Sequence, residues 1–501
     1  MSKTTTSGTT DTMTAAALID PARTGYKSPL ESRNASREMR EIWSDQRKFS
    51  TWRKIWHALA KAEHEAGLPV TQAQADAIGS HLHDIDFAAA DAHETTLRHD
   101  VMAHVHTLGD AAPVARAIIH LGATSQDVVC NADVLIQHDA LSLIALKLAR
   151  VVDRLGTLAA AQRDLPCLGF THYQPAQPVT FGKRAMLWAQ DFAVAHFEVM
   201  SAQESLRLRG LRGATGTQAS YLALCGGDGA KVDALEDSFA KHLGWEGGRW
   251  PGCAQTYPRI ADAKLLSALA IAACAVHKTC NDIRLLCNLR EVDEPFEKHQ
   301  IGSSAMPYKR NPMRCERATG LARFVQSLTH NAFDTASTQW LERTLDDSSN
   351  RRLSIPESFL ALDGALDIMA NVAGGLVVYP KVCAARLANE MPFLATENLM
   401  MAAVRAGADR QDAHEAIRAH AIESARRMKE DGAANDLLHR LAGDPLIRRA
   451  GIDMKALEQA LDPADFVGRS REQVDSMIAT IVEPLRKHYG DALSGQAPLR
   501  V

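Results

Sequence analysis

Four long stretches of this chain contain neither glycine nor proline. Because these two residues are the strongest interrupters of regular structure, their absence favours helices of unusual length. A helix of about 30 residues would extend about 45 Å, whereas the average globular helix has only ~11–12 residues. The four stretches cover residues 123–155, 183–209, 259–294 and 321–355.

In two of these stretches, apolar residues recur every three or four positions, which places them on one helix face. Helices this long can bury such faces only against one another or against other copies of the chain. We therefore predict an all-α fold with an elongated central bundle, no strands beyond short hairpins, and a chain that forms homo-oligomers. The apolar positions are Val134, Leu135, Leu141, Ile144, Leu148, Val151, Val152 and Leu155 in one stretch, and Leu265, Leu266, Leu269, Ala272, Ala273, Val276, Ile283, Leu286 and Leu289 in the other.

The bulk composition argues against several classes of protein. Hydrophobic residues make up 46% and charged residues 23% of the chain, as in globular proteins with a substantial core. A net charge of −4 and a pI near 6.6 give no electrostatic sign of nucleic-acid or membrane-surface binding. No apolar run approaches the roughly 18 residues that span a bilayer. We expect neither nucleic acid nor membrane as a partner.

The N-terminal residues and the cysteines provide evidence about the cellular location of the protein. Residues 1–25 begin with a Thr- and Ser-rich segment and predict a disordered tail. This tail lacks the positive segment followed by an apolar one that marks a secretory signal. The nine cysteines are scattered without Cys-x-x-Cys spacing, which predicts reduced thiols in a cytoplasmic protein.

Residues 301–312, with the sequence IGSSAMPYKRNP, combine groups suited to chemistry in one short loop. Gly302 allows close backbone approach, and two prolines stiffen the far side. Ser303 precedes Lys309 by six residues. A hydroxyl and an ammonium so arranged suit removal of a proton from carbon beside a carboxylate, because the ammonium stabilises the charge that develops. For Gly-Ser-Ser alone, a polar interhelical turn is the alternative interpretation.

Residues 302–311 fit the pattern Gly-Ser-Ser-x-Met-Pro-x-Lys-x-Asn in full, and on this motif the chain resembles the fumarase/aspartase superfamily of lyases. Within that superfamily it is most similar to the adenylosuccinate lyase family. Four further segments resemble that family in its order, and the likeness runs from about residue 26 to about residue 485. These segments are residues 98–104, 121–125, 169–177 and 342–348.

The resemblance implies a three-domain all-α fold with no organic cofactor and no metal. It implies β-elimination of fumarate from adenylosuccinate, giving AMP, and from SAICAR, giving AICAR, in purine biosynthesis. It also implies a homotetramer with a shared helical core, in which each active site is built from three chains. The expected divisions are the tail at 1–25, an N-terminal helical domain at 26–124, the central bundle at 125–378 and a C-terminal helical domain at 379–501.

By resemblance, three residues carry the reaction. Ser303 is the base that takes the carbon-bound proton, and closure of the loop would surround it with backbone N–H groups and Lys309. Lys309 balances the charge of the developing aci-carboxylate. His172 is the general acid on the purine side, because histidine titrates near working pH. Taken singly, the three would be a helix cap, a surface lysine and a structural histidine.

The substrate carries a phosphate and two carboxylates, which suit guanidinium groups. His99 is expected near the phosphate or in support of the catalytic histidine. The family commonly has an aromatic residue after its first substrate arginine, whereas Asn34 follows Arg33 here, so Asn34 is expected to be a weak contact. The substrate-binding residues implied by motif match are Arg33, Asn34, Arg98, His99, Asp100, Thr124, Ser125, Thr171, Gln255, Arg317, Arg343, Ser348 and Arg352.

Several alternatives stand beside this interpretation. His99, His104 and His106 suggest a metal site, but their spacing does not give the i, i+4 pair of a metalloenzyme helix. The glycine cluster at 210–216 lacks the preceding strand of a nucleotide-binding loop. Rival functions are argininosuccinate lyase, fumarase, a crystallin-like scaffold without activity, and a helical scaffold for macromolecules. The segments at 171–177 and 343–347 favour the purine enzyme.

Overall fold

The structure, a computed structural model, describes residues 24–495 of the chain. The predicted tail at 1–25 therefore lies almost entirely outside the described residues. From residue 24 onward, five α-helices form the N-terminal part, together with a π-helical turn (Leu30–Asn34) and a 3₁₀ turn (Pro113–Ala115). Four of the α-helices begin at a Ser, Thr or Asp whose side chain accepts a backbone N–H, which satisfies one of the free donors of the first turn. The five α-helices are α1 (Arg37–Ile42), α2 (Asp45–Glu65), α3 (Gln72–Ser80), α4 (Phe87–Leu97) and α5 (Asp100–Ala111).

The central part contains the long helices together with four short strands. A two-stranded antiparallel hairpin lies between the first two long helices, and a second pair of two-residue strands joins segments distant in the chain. The elements are α6 (Ser125–Ala161), β1 (Pro166–Thr171), β2 (Gln174–Thr180), α7 (Phe181–Glu204), α8 (Ala219–Leu224), α9 (Gly229–Leu243), α10 (Ile260–Asn288), β3 (Val292–Asp293), α11 (Met313–Ser337), α12 (Asp346–Gly375) and β4 (Val377–Val378).

Helices α6, α7, α10, α11 and α12 pack along one another and form the bundle that the apolar spacing predicts. Of the apolar positions predicted on α6 and α10, all but Leu135 and Leu289 are buried, and these two are partly buried against the same core. The N-terminal helices share this core, because Trp52 and Trp56 of α2 belong to the same continuous cluster. The predicted all-α fold with a central bundle is confirmed.

The prediction of one long helix over 321–355 is wrong. Helix α11 ends at Ser337 and α12 begins at Asp346. Between them the backbone of Leu341 adopts a left-handed conformation, with φ of 48°, and the Gln255 N–H donates to the Glu342 carbonyl at 3.1 Å. This tertiary contact holds a non-helical segment that contains neither glycine nor proline.

Helix α12, conversely, continues through Pro356. A proline inside a helix costs roughly 3 kcal/mol. Burial of its neighbours Ile355 and Phe359 in the bundle offsets that cost. Helix boundaries in this part of the chain therefore follow packing rather than the positions of proline and glycine.

Most of the C-terminal helices are shorter and share a core of their own, whereas the segment from Val474 to Leu485 packs against the core of the central bundle. This second apolar cluster includes Leu387, Met391 and Leu399, and it also takes in Leu168 from strand β1. Pro392 lies inside a helix here, whereas helices end just before Gly407 and Gly432. The helices are α13 (Pro380–Leu394), α14 (Thr396–Arg405), α15 (Arg410–Glu430), α16 (Leu437–Gly443), α17 (Pro445–Arg449), α18 (Met454–Gln459), α19 (Ser470–Met477) and α20 (Glu483–Tyr489).

Two bundle helices, α6 and α10, are long and apolar enough to cross a membrane by length and composition alone. The expectation that no apolar run approaches that length was therefore too strict. In both helices more than half of the apolar window is buried inside the fold, as is typical of core helices in soluble proteins.

Candidate active site

Four predicted residues meet where α5, α6 and α12 approach one another. Asp100 is the first residue of α5, and its carboxylate accepts a hydrogen bond from Arg352 on α12 at 2.7 Å. His99 caps α5, and its Nε2 lies 3.4 Å from the hydroxyl of Ser125 at the start of α6. We call His99, Asp100, Ser125 and Arg352 the Asp100 group.

The electrostatics of the Asp100 group favour an ionised carboxylate. Burial alone would raise the pKa of Asp100, but Arg352, the Val101 backbone N–H and the charge of Lys48 together outweigh burial, so the pKa is lowered. Arg98 precedes the group in a left-handed conformation with φ of 54°, which ends α4 and turns the chain into α5. The hydrogen-bonding groups of the Asp100 group are thus supplied by the first residues of α5 and α6 and by one side chain of α12.

Thr124 and Ser125 occupy the start of the 37-residue helix α6. The Thr124 N–H donates to the buried Asp127 carboxylate at 2.8 Å, and the same carboxylate accepts the backbone N–H of Arg212 at 2.7 Å. Arg209 also donates to Asp127. Because Asp127 is held from several sides, the loop before α6 is rigid at the point where the two hydroxyl residues are presented.

Three further predicted residues lie at or near the start of α12: Ser348 within the helix, Arg343 just before it, and Gln255 on a neighbouring segment. Arg343 donates to Asp347 at 3.0 Å, and Ser348 lies one helical turn before Arg352, so their side chains share one helix face. Gln255 joins them through its backbone N–H, which donates to Glu342. Ser348 thus lies on the same face of α12 as Arg352, and Gln255 is joined to the segment that carries Arg343.

Arg33 and Arg317 form a second positively charged place. The Arg317 Nε donates to the Asn34 Oδ1 at 2.9 Å, and the Arg317 guanidinium also donates to the Arg33 carbonyl. Burial and the nearby charge of Arg33 lower the pKa of Arg317. Two guanidinium groups that repel each other are suited to an anion between them.

Both polar atoms of the Asn34 side chain make hydrogen bonds within the protein. Its Oδ1 accepts from Arg317 and its Nδ2 donates to the Pro29 carbonyl at 2.8 Å. A Cβ on Gly364 would lie 2.7 Å from the Asn34 carbonyl oxygen, so α12 packs tightly beneath it. Asn34 is therefore placed to orient Arg317, and its predicted weak contact with substrate stays a prediction.

His172 lies at the tip of the β1–β2 hairpin. His172 and Tyr173 have φ of 53° and 58° between the paired residues Thr171 and Gln174, which is the geometry of a type I′ turn. Below the tip, Gly169 sits at an irregularity of the hairpin, where a Cβ would lie 2.4 Å from the Gln177 carbonyl oxygen. Thr171 and His172 are both exposed.

The loop at 301–312 is folded around the Ser303 hydroxyl. The Ser303 Oγ accepts the backbone N–H groups of Met306 at 3.1 Å and Ala305 at 3.3 Å. A Cβ on Gly302 would lie 2.2 Å from the Lys309 carbonyl oxygen, so only glycine allows this closure. Two backbone donors aimed at one hydroxyl oxygen lower the cost of its alkoxide. Lys309 is exposed.

Within one chain, these parts remain separate. Among residues 24–495, neither His172 nor Ser303 makes a hydrogen bond or ion pair with any member of the Asp100 group. A cleft of about 1090 Å³ between α2, α6 and the end of α9 contains none of the predicted site residues. A single chain thus carries three separate parts of the predicted site, which we call part-sites: the Asp100 group, the hairpin that bears His172 and the loop that bears Ser303.

The histidines first considered for a metal point to other roles. His104 is buried and stacks on Phe49 with ring centroids 3.7 Å apart, and burial lowers its pKa to about 4. His106 lies beside His93 instead, with ring centroids 5.4 Å apart. Within residues 24–495, no group of three or more His, Cys, Asp or Glu residues is arranged to hold a metal ion.

Two residues near the Asp100 group were missed from the sequence. Burial lowers the pKa of Lys48, whose ammonium feels the charges of Arg352 and Asp100. His120 accepts the Trp56 indole N–H at its Nδ1, at 3.1 Å, and burial lowers its pKa to about 4. Because an indole can only donate, the neutral His120 ring carries its proton on Nε2. His120 could have been found from the sequence, because it directly precedes the family-like segment 121–125. Nothing in the sequence around Lys48 indicates a role in the site.

Comparison with known proteins identifies the family. Residues 31–327 match the family model described as Lyase, and residues 392–477 match the model described as Adenylosuccinate lyase C-terminus. Adenylosuccinate lyase of Saccharomyces cerevisiae is 47% identical over 480 residues, covering 94% of this chain and 98% of the relative. The chain belongs to the adenylosuccinate lyase family. Adenylosuccinate lyase of Schizosaccharomyces pombe is 46% identical, covering 90% and 94% of the two chains.

Solved structures place this member of the adenylosuccinate lyase family among related folds. Fumarate lyase from Mesorhizobium sp. BNC1 aligns with a TM-score of 0.76 at 26% identity, covering 90% of this chain and 99% of that chain. The 3-carboxy-cis,cis-muconate lactonizing enzyme from Pseudomonas putida aligns with a TM-score of 0.78 at 25% identity, covering 91% and 99%. The predicted fumarase/aspartase-type fold is confirmed.

Proposed function

We propose that this chain releases fumarate from adenylosuccinate to give AMP, and from SAICAR to give AICAR. The observation that carries the proposal is the Ser303 hydroxyl, which two backbone N–H groups hold on the loop that also bears Lys309. A hydroxyl in this setting is prepared to act as an alkoxide base. The similarity to adenylosuccinate lyases, which extends over at least 90% of the chain, supports the choice of substrate.

In the proposed reaction, the deprotonated Ser303 takes a proton from the carbon next to one succinyl carboxylate. Lys309 stabilises the negative charge that forms on that carboxylate. The electron pair of the broken C–H bond forms the double bond of fumarate while the C–N bond breaks. The departing nitrogen receives a proton from His172, which must be protonated before the step.

The remaining groups bind the anionic parts of the substrate. Arg33 and Arg317 lie side by side, Arg343 lies just before α12, and Arg352 lies in its second turn. Guanidinium groups bind phosphate and carboxylate in a bidentate way. Which arginine meets the phosphate and which meets a carboxylate is decided by comparing the affinities of single variants for AMP and for fumarate.

We further propose a cytoplasmic homotetramer in which the part-sites of three chains complete each active site. Exposed apolar side chains along the bundle support association, because a stable monomer seldom exposes such stripes. Copies packed along these stripes can bring the hairpin and loop of other chains to the Asp100 group. The exposed residues are Leu187, Val194 and Phe197 on α7 and Ile260, Ile271 and Leu285 on α10.

The function is tested by following the absorbance of adenylosuccinate and, in parallel, of argininosuccinate. Consumption of adenylosuccinate with release of equal amounts of AMP and fumarate is expected. Fumarate release from argininosuccinate alone would replace the proposal with the rival lyase, and inertness towards both would favour a scaffold.

The assembly is tested by light scattering and by mixing two inactive variants. A mass of about 218 kDa is expected, four chains of 54.5 kDa each. His172→Ala and Ser303→Ala chains, unfolded and refolded together, should recover part of the wild-type activity if the two residues serve one site from different chains. No recovery in a correctly assembled mixture would contradict shared sites.

A further inference from the structure

The short strand β3 lies between the long helix α10 and the loop that carries Ser303. It pairs with β4, the strand that leads into the C-terminal helix α13, with Val292 opposite Val378 and Asp293 opposite Val377. The Tyr379 N–H adds a further backbone bond to the Glu291 carbonyl at 2.9 Å. The chain just before the loop is thus fixed to the chain just before α13.

The side chain of Asp293 extends this junction to the loop itself. Its Oδ2 accepts the Tyr379 hydroxyl at 2.8 Å and lies 3.5 Å from the Nη1 of Arg310. Arg310 directly follows Lys309, and its guanidinium also lies over the Phe296 ring, 5.1 Å from the ring centroid. The charged hydrogen bond to Asp293 raises the pKa of Tyr379, so the phenol remains a donor.

No predicted site residue lies in the C-terminal helices, and the mechanism above does not use Asp293, Arg310 or Tyr379. Yet these three side chains form a continuous connection from the start of α13 to the residue beside Lys309. The backbone of Gly302 packs against the Lys309 carbonyl, and the Asn311 Nδ2 donates to the Gly302 carbonyl at 2.9 Å. Because these contacts join the two ends of the loop, a contact that fixes Arg310 also restricts the segment that carries Ser303. The connection therefore acts on the position of the whole loop.

We propose that Asp293 is a positioning residue for the Ser303 loop, holding Arg310 on one side and Tyr379 on the other. The proposal rests on the proposed function, because it assigns the loop its catalytic role. It also assigns a role to the C-terminal helices, because the start of α13 holds Tyr379, the fixed end of the Tyr379–Asp293–Arg310 connection. Asp293 does not touch the reacting atoms.

The first test measures the loop without any substrate. Trypsin can cut after Lys309 and Arg310, and mass spectrometry identifies these cuts. Asp293→Asn should increase their rate about fivefold, the size expected for loss of one partly exposed charged contact. The matched control is Glu316→Gln, which removes an exposed carboxylate from α11 that pairs with Arg284. Its cleavage rate should equal that of the wild type.

The second test measures turnover of adenylosuccinate. Asp293→Asn should lower kcat about fivefold and leave KM within about twofold, because a mispositioned base weakens the transition state rather than substrate binding. Asp293→Glu should restore most of kcat, which a purely space-filling role would not do. Asp293→Asn combined with Arg310→Gln should be no worse than either change alone.

The outcomes separate this proposal from the proposed function. Unchanged cleavage and unchanged kcat in Asp293→Asn would overturn the positioning role, as would losses that multiply in the double variant. If Asp293→Asn is cleaved faster but the wild-type protein does not turn over adenylosuccinate, the positioning role of Asp293 is supported and the proposed function is rejected. If Asp293→Asn does not assemble, Tyr379→Phe removes one bond of the same connection and should give a smaller change in the same direction.

Discussion

Glu63 on α2 makes a sharp prediction about stability. Its side chain is 0% exposed, and among residues 24–495 neither carboxylate oxygen has a hydrogen-bond partner. Burial without a compensating charge raises the pKa of Glu63 to about 8, from an ordinary value of 4.5. The folded protein thus keeps a proton on Glu63 at pH 7, whereas the unfolded chain has released it.

The magnitude follows from proton linkage. Between pH 4.5 and 8 the folded state binds more protons than the unfolded state, so the free energy of unfolding falls by about 1.4 kcal/mol for each pH unit. Glu63→Gln keeps the shape of the neutral side chain but cannot ionise. Relative to wild type, the variant should gain about 1 kcal/mol at pH 5 and about 4 to 5 kcal/mol at pH 8.5.

The assay is thermal unfolding of both proteins at a fixed protein concentration from pH 5 to 8.5. With an unfolding entropy of about 2 cal/mol/K per residue, the difference in Tm should widen by about 4 °C across this range. A fixed packing difference between Gln and Glu would shift every point equally, so the slope is what tests the reasoning. A Tm difference that is constant, or that narrows as pH rises, would refute it.

The matched control lies two positions further along the same helix. Glu65 is exposed, and its carboxylate accepts hydrogen bonds from Ser238 and binds His242 at 2.9 Å. The Ser238 hydrogen bond lowers the pKa of Glu65, opposite in direction to Glu63. Glu65→Gln should therefore give no stabilisation that grows with pH.

Three further predictions concern the candidate site. His172→Ala should lower kcat for adenylosuccinate by about 10²- to 10⁴-fold with little change in assembly, and near-normal kcat would remove His172 from its role as acid. Arg317→Gln should raise KM by about tenfold, because a charged hydrogen bond to an anion is lost. Asn34→Ala should raise KM by a smaller factor, because Asn34 orients Arg317. Unchanged KM in both variants would argue against an anion site at Arg33 and Arg317. Because Arg352 helps to lower the pKa of Asp100, the stabilisation from their pair is fully present above the ordinary carboxyl pKa and is lost as pH falls through the lowered pKa of the folded protein. Asp100→Asn should therefore reduce kcat/KM by the same factor at pH 6 and pH 8, and a defect confined to one of these pH values would contradict the pairing.

The sequence predicted best where apolar periodicity and burial act together. On α6 and α10, a broad apolar face at three-to-four spacing allows only one arrangement, with that face in the bundle. The break between α11 and α12 could not be predicted, because it depends on a tertiary hydrogen bond between Gln255 and Glu342. Local sequence contains no sign of that contact.

The site divides in the same way. The motif residues Ser303, Lys309 and His172 were found because each lies in a distinctive segment of sequence. The side-chain directions were not predictable: Arg351 turns into the core to meet Asp262, while the next residue, Arg352, turns outward to Asp100. His120 and Lys48 become candidates only when the fold brings them beside the Asp100 group.

The central claim is that the Ser303 hydroxyl is the base. The most direct measurement is the turnover number for adenylosuccinate of Ser303→Ala beside Ser304→Ala, with assembly checked for both. The account predicts a loss of at least about 100-fold for Ser303→Ala and near-wild-type turnover for Ser304→Ala, the neighbouring hydroxyl. Wild-type turnover in correctly assembled Ser303→Ala would contradict it.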